Sequence, residues 1–523
     1  MPTDLPPAAP AAVALARPRT AAVSLRTVAR WVSGTVRGPD AEVTGLTLNS
    51  RLVEPGDLYA ALPGSRVHGA EFAAAALRSG AAGVLTDPAG AGMLADADVA
   101  VCVVERPRSV LGALAARLYD DPAAALTTVG ITGTHGKTTT TYMCEAGLRG
   151  AGVGSGVIGT VGTRIDGRFV KTTLTTPEAP ELHAMFALMR EQGVRACAME
   201  VSSHALVMGR VDGVVYDLAV FLNLGRDHLD FHRDVEDYFQ AKASLFTPQR
   251  AARALVNVDD AHGRRLVEEA GVPVRTMSAD GRDADWRAVD VRLRADGADF
   301  DVLAPDGSRH RAGIGMPGPF NVANALAAIA ALAEVGYPVE PVVGGLSGLT
   351  GVPGRIERVD AGQDFVTVVD YAHKPDAVTA VLTALRTVTP GRVVTVIGAG
   401  GDRDRGKRPM MGAAASRLSD VLVVTDDNPR TEDPAHIRAE LLAGARDVAE
   451  TERAELMEIG DRRAAIRQAV ALARPGDCVL VAGKGHEQGQ EVAGVVHPFD
   501  DRVVVWEALT EGRTEVRRGG ATR

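Results

Sequence analysis

Gly130-Ile131-Thr132-Gly133-Thr134-His135-Gly136-Lys137-Thr138-Thr139 decides how the chain is read. Just ahead of it, Leu126-Thr127-Thr128-Val129 is rich in β-branched residues and predicts a strand. Residues 137–149 carry no proline and run into Gly150 and Gly152, which predicts a helix with a glycine stop. Strand, glycine loop and helix in that order are the setting of a phosphate-binding loop. Its glycines let backbone N–H groups converge on phosphate oxygens, and the positive end of the helix adds to them. Lys137 would then reach the terminal phosphates, and the hydroxyl of Thr138 or Thr139 would meet Mg2+. The usual spacing asks for glycine where Ile131 stands, and Gly130 and Gly133 lie to either side instead. A plain turn between a core strand and a core helix gives a similar pattern, but the adjoining Gly136-Lys137-Thr138 favours an ATP site.

A chain of 523 residues suffices for about two to four domains, each with its own core. A net charge of -9 argues against a nucleic-acid or anionic-membrane surface. Cys102, Cys144, Cys197 and Cys478 form no C-x-x-C pair, so neither a structural zinc nor a disulfide scaffold is expected. No apolar run is long enough to span a bilayer, and the N-terminus lacks an apolar segment with a cleavage site. The expectation is a cytoplasmic protein without nucleic-acid or membrane partners.

Outward from the loop the chain divides. Residues 1–22 are rich in Pro and Ala and are expected to be a disordered extension. Residues 23–122 form a compact unit containing Thr47-Leu48-Asn49-Ser50-Arg51 and a Pro55-Gly56-Asp57 turn, with a strand over 57–62. Ser50 and Arg51 precede a turn and, taken alone, read as its cap.

Residues 123–352 alternate strands with helices, the pattern of a doubly wound, mostly parallel sheet, in which ligands collect beyond the carboxyl ends of strands. Those ends are Glu200-Val201-Ser202-Ser203-His204, Asn223-Leu224-Gly225-Arg226-Asp227-His228, and Asn257 with Asp259-Asp260. Glu200, straight after an apolar strand, suits a Mg2+ ligand in an ATPase. On a helix expected over 235–246, Lys242 falls in the apolar stripe of Val235, Tyr238, Phe239, Leu245 and Phe246. Either its stem snorkels outward or it has a chemical task in a partly buried site. From Phe320 a helix with an Asn cap is expected; Asn321 and Asn324 can read an adenine edge, although capping accounts for one of them.

Residues 353–510 alternate again, with strands expected over 365–369, 393–397, 421–424 and 478–481. Their ends are Asp370-Tyr371-Ala372-His373, Gly398-Ala399-Gly400-Gly401-Asp402-Arg403, Asp427-Asn428-Pro429-Arg430 and Gly483-Lys484-Gly485-His486-Glu487. Arg403 occupies the place of the last glycine in a dinucleotide fingerprint, so that reading is rejected. Residues 511–523 are polar and basic and read as a flexible tail.

In combination these motifs are no longer generic. The modified loop, Glu200 to His204, Asn223 to His228, Gly351-Val352-Pro353-Gly354-Arg355 and Asp370 to His373 together resemble the Mur ligases, which build the peptide of bacterial cell-wall precursors. The family's loop reads G-T-x-G-K-T, here Gly133 to Thr138, so the departure at Ile131 becomes an agreement. The resemblance covers roughly residues 23–510 and implies an α/β fold of three domains: a small α/β domain for the uridine end of the substrate, a central P-loop doubly wound ATPase domain, and a Rossmann-like C-terminal domain for the amino acid.

Residue by residue, the resemblance implies ATP binding by Gly133, Thr134, His135, Gly136, Lys137, Thr138, Thr139, Asn321 and Arg355. It implies binding of the uridine-linked substrate by Leu48, Ser50, Thr175, Thr176, Ser202 and Arg210; Met208 stands where the family often has Gln. Mg2+ would meet Thr138, Glu200, His228 and a carbamate on Lys242, and Lys137, Lys242, His228, Asp370 and Arg355 would serve catalysis. Asp427-Asn428-Pro429-Arg430 matches the family's signature for diaminopimelate, with Arg403, Gly483 and Glu487 completing that pocket. Diaminopimelate differs from lysine by a second α-carboxylate, which an arginine fork can bind in two parallel bonds. Taken alone, Arg430 would read as a loop cap or as the partner of Glu432 or Asp433. The implied partners are UDP-N-acetylmuramoyl-dipeptide and diaminopimelate (the meso isomer expected), acted on by a monomer. Rival readings are a lysine-adding ligase, a folylpolyglutamate synthetase-like ligase, and a phosphate-loop switch that needs no amino acid.

Overall fold

The computed structural model describes residues 17–519 apart from 65, 97, 171, 173, 295 and 350, with side chains followed as far as 511. Most of the extension expected over 1–22 lies outside the described residues. Within its last part, the Arg17 guanidinium bonds to the buried Asp57 carboxylate and lies 3.3 Å from Glu54.

The first unit is a five-stranded sheet in the order Thr35–Arg37, Val101–Val103, Gly83–Thr86, Asp57–Ala61, Gly45–Thr47, parallel except at its first strand. The helix Pro107–Leu118 seats it against the helix Ala179–Glu191 of the central unit.

The central unit holds β1 (Thr127–Thr132), α1 (Lys137–Gly150), β2 (Ala196–Glu200), β3 (Leu218–Phe221), α2 (Val235–Ala243) and α3 (Pro319–Glu334). Its sheet has eleven strands. The inner strands run parallel in the order Ser155–Gly159, β2, β1, β3, Ala254–Asn257, Val274–Ser278, Trp286–Arg294, and antiparallel strands close both edges. Side chains alternate across β1: Val129 and Ile131 join Met143 of α1 and Val322 and Leu326 of α3 in one core. On the other face, Met199 and Phe221 meet Tyr238 and Phe239 of α2. Residues buried on both faces explain why these strands read as continuous apolar runs.

The third unit is a six-stranded sheet built on β4 (Val366–Asp370), β5 (Val393–Ile397), β6 (Val421–Val424) and β7 (Cys478–Ala482). The spatial order is Glu357–Arg358, β4, β7, β5, β6, Glu455–Glu458, parallel throughout except for the first pair. The last helix, Asp501–Gly519, buries Val504, Val505 and Leu509 against this sheet and runs past residue 510 into the stretch expected to be a tail. Among the described residues no helix is long and apolar enough to cross a membrane.

Candidate active site

β1 delivers the chain into the glycine loop and α1 receives it. Gly133 has φ +156° and Gly136 φ +86°. A Cβ on Gly136 would stand 2.3 Å from Oδ1 of Asn324, so both conformation and space require glycine there. Lys137 Nζ donates to the carbonyls of Gly133 at 2.6 Å and Thr134 at 3.2 Å, folded over the loop it belongs to. Burial pushes its pKa down to about 8. The loop is braced from β3: Asn223 accepts from His135 N at 2.9 Å and donates to His135 O at 3.2 Å. Thr134 Oγ1 pairs with Tyr238 OH at 3.1 Å. Nε2 of His135 is buried with no hydrogen-bond partner among the described residues while the residue lines the cavity described below, as expected where a ligand supplies the missing bond.

The expected metal-side residues come together around the loop. Glu200 ends β2, buried, with Oε1 accepting from Thr160 N at 2.8 Å and Oε2 from Thr160 Oγ1 at 3.0 Å. Thr138 Oγ1 accepts from Arg355 Nη2 at 3.1 Å. His228 adopts φ +53°, and its Nε2 lies 2.9 Å from Asp227 Oδ2. α2 ends at Ala243 rather than Phe246, which leaves Lys242 in its last turn with 1% exposure. Its ammonium does not snorkel: Nζ donates to Gly133 O at 3.2 Å and lies 4.5 Å from the Tyr238 ring centre. Burial, with Lys137 and Lys374 as like-charged neighbours, holds its pKa well below the ordinary lysine value. Among the described residues no cluster of three His, Cys, Asp or Glu side chains forms a ready-made metal cage. One carboxylate, one hydroxyl and one imidazole near a phosphate loop do suit Mg2+, which keeps waters and takes phosphate oxygens as ligands.

Asp370, at the end of β4, is buried and accepts from Ile356 N and Ala372 N, each at 2.7 Å. Burial raises its pKa against the lowering effect of Arg355. Asn321 is not a helix cap. Gly318 holds that position without a side-chain bond and Pro319 starts the helix, so Asn321 Nδ2 donates to Pro317 O at 2.8 Å and its Oδ1 accepts from Asn324 at 3.2 Å.

A single cavity of ≈ 1020 Å³ is lined by the glycine loop, Thr175, Glu200, Ser202, Arg210, His228, Asn321, Arg355, Asp370 and, from the third unit, Arg403. Thr176 stands just behind, buried, donating to Glu200 O at 2.8 Å. Arg210 bonds to Glu178 at 3.0 Å, which also takes Arg108 of the first unit at 3.0 Å; its Nη2 reaches Met208 Sδ at 3.3 Å. Leu48 and Ser50 lie away from this lining; Asn49, not Ser50, caps the turn through Arg51 N at 3.0 Å.

Asp427, Asn428, Pro429 and Arg430 follow β6, and Gly483 and Glu487 follow β7, all outside the cavity lining; Arg430 and the lining residue Arg403 converge on Gly400, where a Cβ would stand 3.1 Å from Arg430 Nη1 and 3.9 Å from Arg403 Cγ. Glu487 Oε2 accepts from Asn428 Nδ2 at 2.8 Å and from Lys484 Nζ at 3.0 Å. Gly483 has φ +115°, and a Cβ there would stand 2.5 Å from Asp427 Oδ2. Arg430, at φ +53°, pairs with neither Glu432 nor Asp433; Glu432 is held by Arg408 instead. Sequence reasoning did not single out Thr160, and it gave no role to Tyr371, which lies 4.6 Å under the Arg355 guanidinium, or to the buried Lys484, although both stand in motifs it quoted. Thr160 follows no recognisable motif, whereas Lys484 sits inside a glycine-flanked strand end that was in view.

Comparison with known proteins covers most of the chain. Residues 42–119 match the model described as Mur ligase family, catalytic domain; residues 131–332 the Mur ligase middle domain; and residues 354–485 the Mur ligase, glutamate ligase domain. UDP-N-acetylmuramoyl-L-alanyl-D-glutamate--2,6-diaminopimelate ligase of Streptomyces avermitilis is 56% identical over 473 residues, 90% of this chain and 93% of that protein. The protein of that name from Corynebacterium glutamicum is 50% identical over 495 residues, 92% and 95% of the two chains. A solved structure of a ligase of that name aligns with TM-score 0.63 at 33% identity, covering 90% of this chain and 96% of the other.

Proposed function

The chain belongs to the Mur ligase family, and from that premise we propose that it is the ATP-dependent ligase that adds diaminopimelate to the D-Glu carboxylate of UDP-N-acetylmuramoyl-L-Ala-D-Glu. The observation that carries this reading is that the glycine loop with Lys137, the peptide-side Thr175, Ser202 and Arg210, and the third unit's Arg403 face one cavity. ATP, the peptide substrate and the amino acid can meet only where those three surfaces meet. The domain limits that follow are 23–122 for the uridine end, 123–352 for ATP and 353–510 for the amino acid.

The reaction runs in two transfers. A carboxylate oxygen of D-Glu attacks the γ-phosphorus of ATP, the bond to the β-phosphate oxygen breaks, and ADP leaves an acyl phosphate. The amine of diaminopimelate then attacks the acyl carbon, phosphate departs with the C–O bond electrons, and the amine loses a proton. Phosphoryl transfer needs position and charge neutralisation more than covalent help. Lys137, now turned on its own loop carbonyls, would swing onto the phosphates, and Arg355, fixed between Tyr371 and Thr138, would face the same charge. Asp370 holds Ile356 N and Ala372 N and so fixes the segment that carries Arg355. Asn321 and the loop residues 133–139 would take the nucleotide, and Thr175, Thr176, Ser202 and Arg210 the peptide substrate, with Leu48 and Ser50 at its uridine end. Thr138, Glu200, His228 and a carbamate on Lys242 would hold Mg2+, which when bound neutralises phosphate charge. A neutral Lys242 amine is the form that adds to CO2, and its burial favours that form.

Across the amino-acid cluster, Arg403 and Arg430 would take the far carboxylate and Glu487 the far ammonium, with Asp427, Asn428, Pro429 and Gly483 shaping the wall. Lysine lacks that carboxylate and would forgo its bonds to the two guanidinium groups, a loss that gives discrimination. The test is phosphate release from ATP with UDP-N-acetylmuramoyl-dipeptide against lysine and the isomers of diaminopimelate. Release that depends on diaminopimelate is expected; release without any amino acid, or equally fast with lysine, would remove the reading.

A further inference from the structure

Arg430 already holds a carboxylate. Its Nε lies 3.2 Å from Oε2 of Glu491, and its Nη1 donates to Gly401 O at 2.7 Å. Glu491 sits on a hairpin formed by Gly489–Val492 and Val495–Pro498. Main-chain bonds fasten that hairpin to the amino-acid cluster: Arg430 N donates to Glu491 O at 3.0 Å and Ala493 N to Arg430 O at 2.7 Å. Asn428 Oδ1 accepts from Glu491 N at 2.9 Å, and Gln490 Nε2 donates to Asp427 O at 2.8 Å. The backbone of Glu491 is therefore fixed without help from its side chain, which is 37% exposed and has room to turn outward.

We propose that Glu491 is a displaceable internal carboxylate, which occupies the Arg430 fork while the amino-acid pocket is empty and yields it to the second carboxylate of diaminopimelate. This rests on the amino-acid assignment made above. With Nη1 engaged by Gly401 O, the Nε edge of the guanidinium is the one left to take a carboxylate in two parallel bonds, and Glu491 stands at that edge, so Glu491 and the substrate compete for it. A half-exposed ion pair is weak, and its displacement raises the substrate concentration needed by a modest factor. Lysine brings no rival carboxylate and leaves the Arg430–Glu491 pair intact. Glu491 thus spares lysine the penalty of facing a bare guanidinium, and it narrows the selectivity that Arg430 alone would give.

The experiment measures KM for diaminopimelate, lysine and ATP in the full-length enzyme and in Glu491→Gln and Glu491→Ala. KM for diaminopimelate is expected to fall about two- to five-fold in both variants, the range of a half-exposed ion pair, while KM for lysine and ATP does not fall. An unchanged or raised KM for diaminopimelate in both variants would overturn the inference. So would an equal fall for lysine, which marks a general loosening of the hairpin. A wild-type enzyme that uses diaminopimelate while the variants show no change sinks this inference alone; a wild type that does not use it sinks the amino-acid assignment and this inference together.

Discussion

At the scale of single residues, three positions beside the cavity spend backbone strain. His228, Ile356 and Arg430 are non-glycine residues at φ +53°, +44° and +53°. Such a conformation costs on the order of 1–3 kcal/mol and persists where surrounding bonds over-determine it. At Ile356 the bond to Asp370 does so; at Arg430 the hairpin does. Lys242 shows the electrostatic counterpart, an amine that burial and its like-charged neighbours Lys137 and Lys374 push toward the neutral form. Replacing Lys242 with Ala is expected to abolish turnover while ATP still binds, and short carboxylic acids added to the assay should restore part of the activity. Full activity in the untreated Lys242→Ala enzyme would end the carbamate proposal.

At the scale of elements, function sits where parallel strands stop. β1, β2, β3, β4, β5 and β7 each end in a residue or loop that lines the cavity, and none of their apolar strand bodies does. Gly136 is where one such end becomes α1. An Ala there would meet a left-handed backbone penalty of about 1–2 kcal/mol, in addition to the clash with Asn324 Oδ1 at 2.3 Å. Gly136→Ala should therefore lower the denaturant midpoint measurably and raise KM for ATP much more than KM for diaminopimelate. Equal shifts in both constants would mean that the loop conformation matters to the fold alone. These strand ends were legible from sequence because buried parallel strands are written as unbroken apolar runs with polar stops. The elements that escaped notice lack that code. The hairpin Gly489–Pro498 exposes Val495 and Val496, and the strands Trp286–Arg294, Gly297–Leu303 and Arg309–Ile314 mix charge with apolar residues at a sheet edge. Residue roles that depend on a distant partner were equally silent. Asn321 looked like a cap because nothing local shows that Gly318 and Pro319 take that place, and Glu491 gave no sign that it would reach Arg430.

For the whole molecule the decisive contact is between the central and third units, because the proposed reaction requires a nucleotide bound to one to face an amino acid bound to the other. Arg355 reaches across to Thr138, and Lys374 reaches across to Asp227, the residue that also holds His228 Nε2. Burial opposes the charge on Asp227, but its bonds to His228 and Lys374 outweigh that and hold its carboxyl well below the usual range. Both members of the Lys374–Asp227 pair are nearly enclosed, at 12% and 14% side-chain exposure, so solvent screens them little. Removing Lys374 leaves Asp227 buried with His228 as its remaining partner, a loss of about 2 kcal/mol. Lys374→Met is expected to cut kcat/KM by roughly 30-fold, the equivalent of that energy. Adding Asp227→Asn to it should cost less than the product of the two single effects, because the stranded charge disappears with its partner. Small-angle scattering of the nucleotide-bound enzyme should at the same time show a larger radius of gyration for Lys374→Met than for wild type. If the two substitutions multiply without coupling and the scattering curves superimpose, this pair does not hold the units together, and Arg355 with Thr138 must carry the closure instead.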